Sequence, residues 1–204
     1  MNQVIETIKK RRSTRLYEQK PVPRNIINAI IEAGNAAPFV SEKRFQPWRF
    51  VVVVENPEFK QKLVQTTLPI WKNATGSMKD THPEIYEMGM KLYEVLDEPK
   101  DPVYYNAPII IFVIAPARNN VGCSAASENM MIAATSLGLG SCYTGFGAMV
   151  KSNTDVVKAL ELKNDERIYG PILLGYPKVD PSAEVAGALA GIGPNKKEPI
   201  IKWI

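Results

Sequence analysis

The sequence predicts one α+β or α/β domain over residues 1–204. Segments with the apolar spacing of amphipathic helices alternate along the chain with a few short β-branched runs, which is typical of a mixed fold. The length of 204 residues is enough for one sizeable core and short for two. Hydrophobic residues make up 45% of the chain and charged residues 23%, as in ordinary globular proteins.

The first half of the chain is predicted to contain three helices and a strand. Apolar residues at helical spacing predict a short amphipathic helix within residues 2–12, and an isoleucine-rich stripe predicts a second helix that ends near Gly34. The β-branched run at residues 49–55 predicts a central strand. Residues 58–67 favour a third helix, whereas residues 68–80 show no clear pattern.

The second half continues the same alternation of helices and strands. Helical spacing at residues 83–96 is followed by an apolar strand at residues 108–115. Residues 123–137 are rich in alanine and methionine, which favours a helix buried on several sides or packed against a partner subunit. A further helix is predicted at residues 155–162 and a further strand at residues 167–176.

The tail, residues 181–204, is rich in glycine, proline and lysine and ends in an apolar segment that contains Trp203. On a monomer this segment would expose a large aromatic ring to water. We therefore expect the tail to pack across a subunit boundary.

Composition and charge exclude several classes of protein. The net charge of +4 is modest and spread along the chain, which disfavours a nucleic-acid binder. No apolar stretch reaches the roughly 20 residues that cross a bilayer, and no signal-peptide core is present, so we expect a cytoplasmic protein that binds neither membrane nor nucleic acid. Two cysteines are too few for a secreted disulfide framework.

The chain lacks the residues of several common catalytic sites. His82 is the only histidine, so hydrolase triads and histidine-based metal sites are hard to build, and we expect this residue at the surface. A strict dinucleotide-binding glycine pattern would need glycine where Tyr143 stands, and no Gly-Lys-Ser/Thr phosphate loop occurs. These absences favour a bound cofactor that carries the reaction.

A cluster of cations and hydroxyls ends the first predicted helix. Residues 11–15 place three guanidinium groups and two hydroxyls in five positions, and a lysine pair stands near the other terminus at residues 196–197. Guanidinium groups offer the planar, forked donors that suit a phosphate or an electron-rich ring edge. The alternative, that each cluster is only a solvated surface, stays open on these residues alone.

These residues belong to a series of motifs that resembles the nitroreductase family. The similarity spans nearly the whole chain, and it is the order of the motifs, more than any one of them, that makes it specific. The motifs are RRSTRLY at residues 11–17, AAP at 36–38 with QPW at 46–48, LGLGSCYTG at 137–145, and GYP at 175–177 followed by KKEP at 196–199.

The resemblance implies an α+β nitroreductase-like fold, with a mostly antiparallel central sheet flanked by helices. It also implies a C-terminal tail exchanged across a homodimer and FMN bound at the dimer interface. FMN phosphate, ribityl and pyrimidine contacts would come from the first motif and from the lysines; further contacts would come from a segment of the second subunit and from a loop against the ring, with the Thr144 backbone N–H near N5. The implied residues are Arg11, Arg12, Ser13, Arg15, Lys196 and Lys197; Pro38, Phe39 and Val40; and Cys142, Tyr143, Thr144 and Gly145.

The function that the resemblance implies is an NAD(P)H-dependent FMN oxidoreductase. NAD(P)H would reduce the flavin, leave, and be replaced by a small acceptor such as a nitroaromatic or a quinone in a ping-pong cycle that needs no catalytic side chain and no metal. A flavin-binding sensor or store without turnover is the first alternative, and an anion-binding or nucleic-acid-binding module is the second.

Other positions have simpler interpretations. We expect Trp48 to be a packing anchor and Cys142 to be a small liner, because the sequence places no cation near its thiol. Glu128 is unusual inside an apolar helix, and either a contact across subunits or simple exposure would explain it. Family members usually supply a polar flavin contact from before the second strand, but no residue from Leu68 to Asn106 aligns with one.

Overall fold

The computed structural model describes residues 2–39, 45–178 and 199–203. Three predicted cofactor ligands, Val40, Lys196 and Lys197, lie outside these residues. The helices are α1 (Gln3–Lys10), α2 (Arg24–Asn35), α3 (Pro57–Ser77), α4 (Pro83–Val95), α5 (Asn120–Ser136) and α6 (Thr154–Ala159); the strands are β1 (Arg49–Val54), β2 (Ile109–Pro116), β3 (Gly140–Tyr143) and β4 (Glu166–Gly175).

The four strands form one antiparallel sheet in the order β1-β2-β4-β3. Arg49 of β1 pairs with Ile114 of β2, and Gly140 of β3 pairs with Gly175 of β4. The prediction of a mostly antiparallel sheet flanked by helices is therefore confirmed.

The run at residues 49–55 predicted a central strand, but this prediction was wrong: among the described residues β1 lies at the edge of the sheet and pairs only with β2. Strand β2 is an inner strand and is apolar at every position. Its residues alternate between two cores, with Ile109, Ile111 and Val113 on the face covered by α2 and α5, and Ile110 and Phe112 on the face covered by α3 and α6. Because side chains point to opposite faces at successive positions, a strand covered on both sides needs apolar residues throughout.

Helix α3 is longer than the sequence predicted. It continues from Pro57 through Pro69 to Ser77, whereas the pattern favoured a helix only to residue 67. Proline cannot donate the helical hydrogen bond, so local propensity argues for a break there. Packing overrides it, because Trp71 is buried and stacks on Tyr93 of α4 with ring centroids 5.5 Å apart.

Strand β3 is absent from the sequence-based prediction, which treated residues 137–145 as a passage from helix to loop. One glycine, one serine and a length of only four residues give it little strand propensity. Its pairing with β4 is a long-range contact, and such contacts leave little trace in local sequence. Among the described residues, no helix is both long and apolar enough to cross a bilayer.

Candidate functional site

The first motif lies along the edge of the sheet beside β3. Ser13 forms a parallel bridge with Ser141, and the Thr14 N–H donates to the Ser141 carbonyl oxygen at 2.8 Å. The Tyr17 hydroxyl donates to the Thr14 carbonyl oxygen at 2.7 Å and fixes the turn that follows. Two sequence motifs that are more than 120 residues apart therefore meet at one edge.

Arg15 is half-buried in this arrangement and faces Tyr105. Its guanidinium carbon lies 5.8 Å from the centre of the Tyr105 ring, and its Nη1 lies 3.5 Å from the Ser13 carbonyl oxygen. Burial lowers the pKa of Arg15, but Cys142 and Tyr105 act in the opposite direction and the net pKa is raised. The guanidinium is therefore a fixed positive charge at any ordinary pH.

Tyr105 is a site residue that the sequence did not reveal. It is half-buried at the end of the turn before β2, and burial raises the pKa of its phenol to about 12. Tyrosine is also a common core residue, so its sequence position carried no signal. Tyr105 lies within residues 68–106, the stretch in which the sequence offered no polar flavin contact, and its phenol provides a polar group beside Arg15.

The other two arginines of the motif have different partners. The Arg11 Nε lies 3.4 Å from the Glu128 carboxylate of α5. The Arg12 guanidinium turns back to the end of α1 and donates to the carbonyl oxygens of Lys9 at 2.6 Å and of Arg11 at 2.8 Å. Glu128 is nearly half exposed, which agrees with the interpretation of simple exposure, and it is also paired within its own chain, which the sequence did not predict.

Cys142 is buried next to these cations, so the expectation that no cation lies near its thiol was wrong. Burial raises the pKa of the thiol, while Arg15, a hydrogen bond from Ser13 and the charge of Arg11 act against this rise. The net pKa is raised, and the thiol is therefore protonated near neutral pH. The sequence could not show this proximity because Arg15 and Cys142 are brought together only by the edge of the sheet.

Two hydroxyl groups at the junction of the first motif and β3 have no hydrogen-bond partner among the described residues. They are Thr14 Oγ1 and Ser141 Oγ, and both residues are buried. Gly140 permits the close approach of Thr14, because a Cβ at this position would lie 2.7 Å from the Thr14 Cβ. Unpaired buried hydroxyls are costly and uncommon in folded proteins.

The last residue of β3 and the loop after it contain the remaining predicted ring contacts. Tyr143 is exposed and Thr144 is buried. The Thr144 N–H already donates to the Pro171 carbonyl oxygen at 3.1 Å. The resemblance assigned this N–H to flavin N5. To contact N5 as well, the N–H would have to share its hydrogen between N5 and the Pro171 carbonyl oxygen.

Pro38 and Phe39 lie on the other face of the sheet from Cys142. Phe39 packs edge-on against Trp48, with ring centroids 5.9 Å apart, in the core beneath α2 and α5. Trp48 is buried and donates from Nε1 to the Asn35 side chain, which confirms it as a packing anchor. The role of Pro38 and Phe39 in a second subunit stays a prediction.

A cleft of about 840 Å³ lies elsewhere, between α3 and the chain that follows α4. It is lined by Lys60, Tyr93, Tyr104 and Asn106 among others, and by none of the predicted cofactor ligands that the structure describes. Tyr104 and Asn106 border the cleft, whereas Tyr105 between them contacts Arg15. A site shared between two subunits would not form a closed cavity in one chain.

Comparison with known proteins identifies the family. Residues 8–176 match the model of the nitroreductase family. The chain belongs to this family. The predicted resemblance is therefore confirmed over most of the sequence.

Relatives of known sequence and structure agree with this result. The chain is 29% identical over 185 residues to the "Putative NADH dehydrogenase/NAD(P)H nitroreductase" of Methanothermobacter thermautotrophicus, covering 87% of this chain and 79% of that protein. A Bacteroides fragilis nitroreductase with bound FMN superposes with a TM-score of 0.64 at 29% identity, covering 99% of this chain and 96% of that one. A Desulfitobacterium hafniense nitroreductase with bound FMN has a TM-score of 0.68 at 24% identity, covering 88% and 91% respectively. The nitroreductase fold predicted from the sequence is confirmed.

Proposed function

We propose that this nitroreductase-family chain is an FMN-dependent oxidoreductase that takes reducing equivalents from NAD(P)H. The observation that carries the proposal is the meeting of the 11–15 segment with β3, which gathers two guanidinium groups, hydroxyls and the loop after β3 at one edge. The bound FMN in the Bacteroides fragilis structure and the name of the Methanothermobacter thermautotrophicus relative support the cofactor and the electron donor.

The residues at this edge fit a flavin nucleotide chemically. A phosphate needs cationic forked donors, and a ribityl chain needs hydroxyl partners. Arg11 and Arg15 supply the first, and the hydroxyls of Thr14 and Ser141, which have no partner among the described residues, lie beside them and support the second. We assign the phosphate, ribityl and pyrimidine contacts to Arg11, Ser13 and Arg15, and we keep Lys196 and Lys197 as further phosphate ligands. Arg12, which donates to the Lys9 and Arg11 carbonyl oxygens, would reach FMN only by leaving the end of α1.

FMN, when bound, supplies a ring that accepts hydride and passes electrons on to an acceptor. The task of the chain is to bind this ring and to set its electrostatic surroundings. Arg15 is held by Tyr105 and by the Ser13 carbonyl, so its charge is preorganised to stabilise negative charge that develops on reduction. Residues 142–145, that is Cys142, Tyr143, Thr144 and Gly145, would line the flavin ring. A ping-pong exchange of NAD(P)H for a nitroaromatic or quinone needs no further catalytic side chain.

We further propose that the working form is a homodimer with its sites between subunits. Helix α1 contributes no buried residue, and Val4, Ile5 and Ile8 are 61%, 47% and 47% exposed. A helix of eight residues is not stable in water without packing of its apolar face. Trp203 is also 88% exposed at the end of the tail. A second copy of the chain would cover both surfaces and bring Pro38, Phe39 and Val40 to the flavin.

The test is the absorbance spectrum of the purified protein, first alone and then with NAD(P)H under anaerobic conditions. We expect yellow protein that bleaches with NADH or NADPH and recovers its colour with a quinone or a nitroaromatic compound. Colour that does not bleach would support a flavin store or sensor instead. Colourless protein that takes up no FMN from an excess would contradict the proposal.

A further inference from the structure

Glu128 has a definite place in the candidate site. It is the only charged residue of α5, between the buried Ser127 and the core residue Met130. Its carboxylate meets Arg11 at the point where α1 ends, and the side chains of Arg11 and Glu128 are 28% and 46% exposed. A charge in an otherwise apolar and small-residue helix needs a reason, and the Arg11 contact supplies one.

We propose that Glu128 is a positioning residue that orients the Arg11 guanidinium towards the phosphate of FMN. The inference rests on the proposed function and adds to it a residue outside the motifs. Guanidinium has a side edge that includes Nε and an end edge formed by Nη1 and Nη2. The contact with Glu128 is through Nε, so the end edge is left for a forked contact with a phosphate.

Arg12 shows what an arginine at this turn does without such a partner. Its guanidinium turns back onto the carbonyl oxygens of Lys9 and Arg11, where it caps α1. Arg11 stands at the end of the same helix, and its own backbone N–H bonds the Thr7 carbonyl. The Glu128 contact therefore holds the Arg11 side chain at α5 and away from the end of α1.

A carboxylate this close to a phosphate site also has an opposing effect, because like charges repel. The two effects predict opposite results. If orientation dominates, loss of the carboxylate weakens FMN binding; if repulsion dominates, loss of the carboxylate strengthens it. In the proposed arrangement Arg11 lies between Glu128 and the phosphate, so the repulsion acts over a longer distance than the 3.4 Å contact and is screened more strongly by solvent and salt. Orientation is therefore expected to dominate.

The experiment compares Glu128→Ala and Glu128→Gln with the wild-type protein after removal and re-addition of flavin. Binding of FMN and of riboflavin is measured by quenching of flavin fluorescence. Glutamine keeps an oxygen acceptor for Arg11 but loses the charge, whereas alanine loses both. Glu32→Ala is the matched control, because Glu32 is an exposed glutamate on α2.

We expect Glu128→Ala to weaken FMN binding by about three- to tenfold, which corresponds to the modest strength of a partly exposed ion pair. Glu128→Gln should stay within about twofold of wild type, and riboflavin binding should change little in any variant, because it has no phosphate. FMN binding by Glu128→Ala that equals or exceeds wild type would overturn the inference. Wild-type protein that binds no flavin would instead refute the proposed function, and the inference with it.

Discussion

Arg11, Arg12 and Arg15 lie within five residues of one another, and each guanidinium has a different partner. Arg11 meets the Glu128 carboxylate, Arg12 caps α1, and Arg15 faces Tyr105. Arg12 makes the shortest contacts, but they join it to the end of α1. Arg15 is instead half-buried beside the Tyr105 ring, at the junction of the first motif with β3. It should therefore contribute most to flavin binding.

Replacement of Arg15 tests this ranking. We expect Arg15→Ala to weaken FMN binding by tenfold or more, about 1.5–3 kcal/mol for a charge-assisted contact. The FMN affinity of Arg15→Lys should lie between those of the wild type and Arg15→Ala, since lysine keeps the charge but loses the planar fork. Fluorescence titration with FMN gives the affinities. Arg118→Ala, at an exposed loop position, serves as the control, and equal affinities for all variants would contradict the assignment.

The two thiols provide a second test at single residues. Both cysteines are buried, and burial raises the pKa of Cys123 to about 12 and also raises that of Cys142. A raised pKa keeps a thiol protonated, and only the thiolate reacts with disulfide reagents. We expect neither thiol to react rapidly with such a reagent at pH 8, and both to react once the protein is denatured. Rapid labelling of Cys142 in the folded protein would show that its surroundings are more open.

At the scale of elements, the site depends on the close approach of the first motif to β3. Gly140 makes this approach possible, because a side chain there would collide with Thr14. The segment then continues along the end of β4, where the Glu18 N–H donates to the Tyr176 carbonyl oxygen at 2.9 Å. Sheet edge and motif are therefore one structural unit.

Gly140→Ala should disturb this unit. We expect a loss of about 1–3 kcal/mol in the free energy of unfolding from overpacking, together with weaker FMN binding because residues 13–15 are displaced. Urea denaturation and flavin titration measure the two effects. Gly76→Ala is the control, since a Cβ at that helical position meets nothing within 4 Å and stability should be unchanged or slightly higher.

An ion pair joins the two halves of the sheet. Arg49 of β1 donates to both carboxylate oxygens of Glu166, at 3.2 and 2.8 Å, and also to the carbonyl oxygens of Leu160 and Glu161. The hydrogen bond from Arg49 lowers the pKa of Glu166 below its ordinary value of 4.5. The folded state therefore favours the ionised carboxylate.

The sign of this shift fixes a pH dependence. Stabilisation by Glu166 is fully present above the unfolded pKa of 4.5 and is lost as pH falls through the lower pKa of the folded state. We expect Glu166→Gln to reduce the free energy of unfolding by about 1–3 kcal/mol at pH 7, and the difference from wild type to shrink towards pH 3. Denaturant titrations of both proteins at pH 7 and pH 3 measure this difference in the free energy of unfolding. Glu161→Gln, at an exposed position nearby, should behave as wild type, and a pH-independent difference for Glu166→Gln would be inconsistent with this assignment.

At the scale of the whole molecule, the proposed homodimer would cover the exposed apolar surface. Helix α1 and the end of the tail both present large apolar side chains to solvent. The same α1 leads directly into the cation cluster, so its packing against a second subunit would also fix the site. Dimer formation and flavin binding should therefore be lost together.

Ile8→Glu tests this coupling. We expect the variant to dissociate to a monomer by light scattering and to lose most of its FMN, because a buried, unpaired carboxylate at an interface is strongly unfavourable. Ile85→Glu is the matched control, since Ile85 on α4 is 46% exposed against 47% for Ile8. A dimeric, flavin-loaded Ile8→Glu protein would exclude α1 from the interface.

Local patterns were sufficient for most of the elements. Apolar, β-branched runs predicted β1 and β2, a further strand was predicted where β4 lies, and apolar spacing or composition predicted the helices, because each of these signals is contained within a few neighbouring residues. The end of α3 and strand β3 could not be predicted in this way. Pro69 opposes helix locally and β3 has little strand propensity, so both depend on packing partners distant in sequence.

The same division holds for the candidate site. The sequence by itself determined the family and pointed to residues 11–15 and 142–145, because the motifs occur in the family's order and their residue types can be read without the fold. Only the tertiary structure decided that Tyr105 faces Arg15, that Glu128 holds Arg11, and that Cys142 lies beside cations. The physical reason is that each of these contacts joins residues from different elements, and such contacts exist only once the sheet and its helices have assembled.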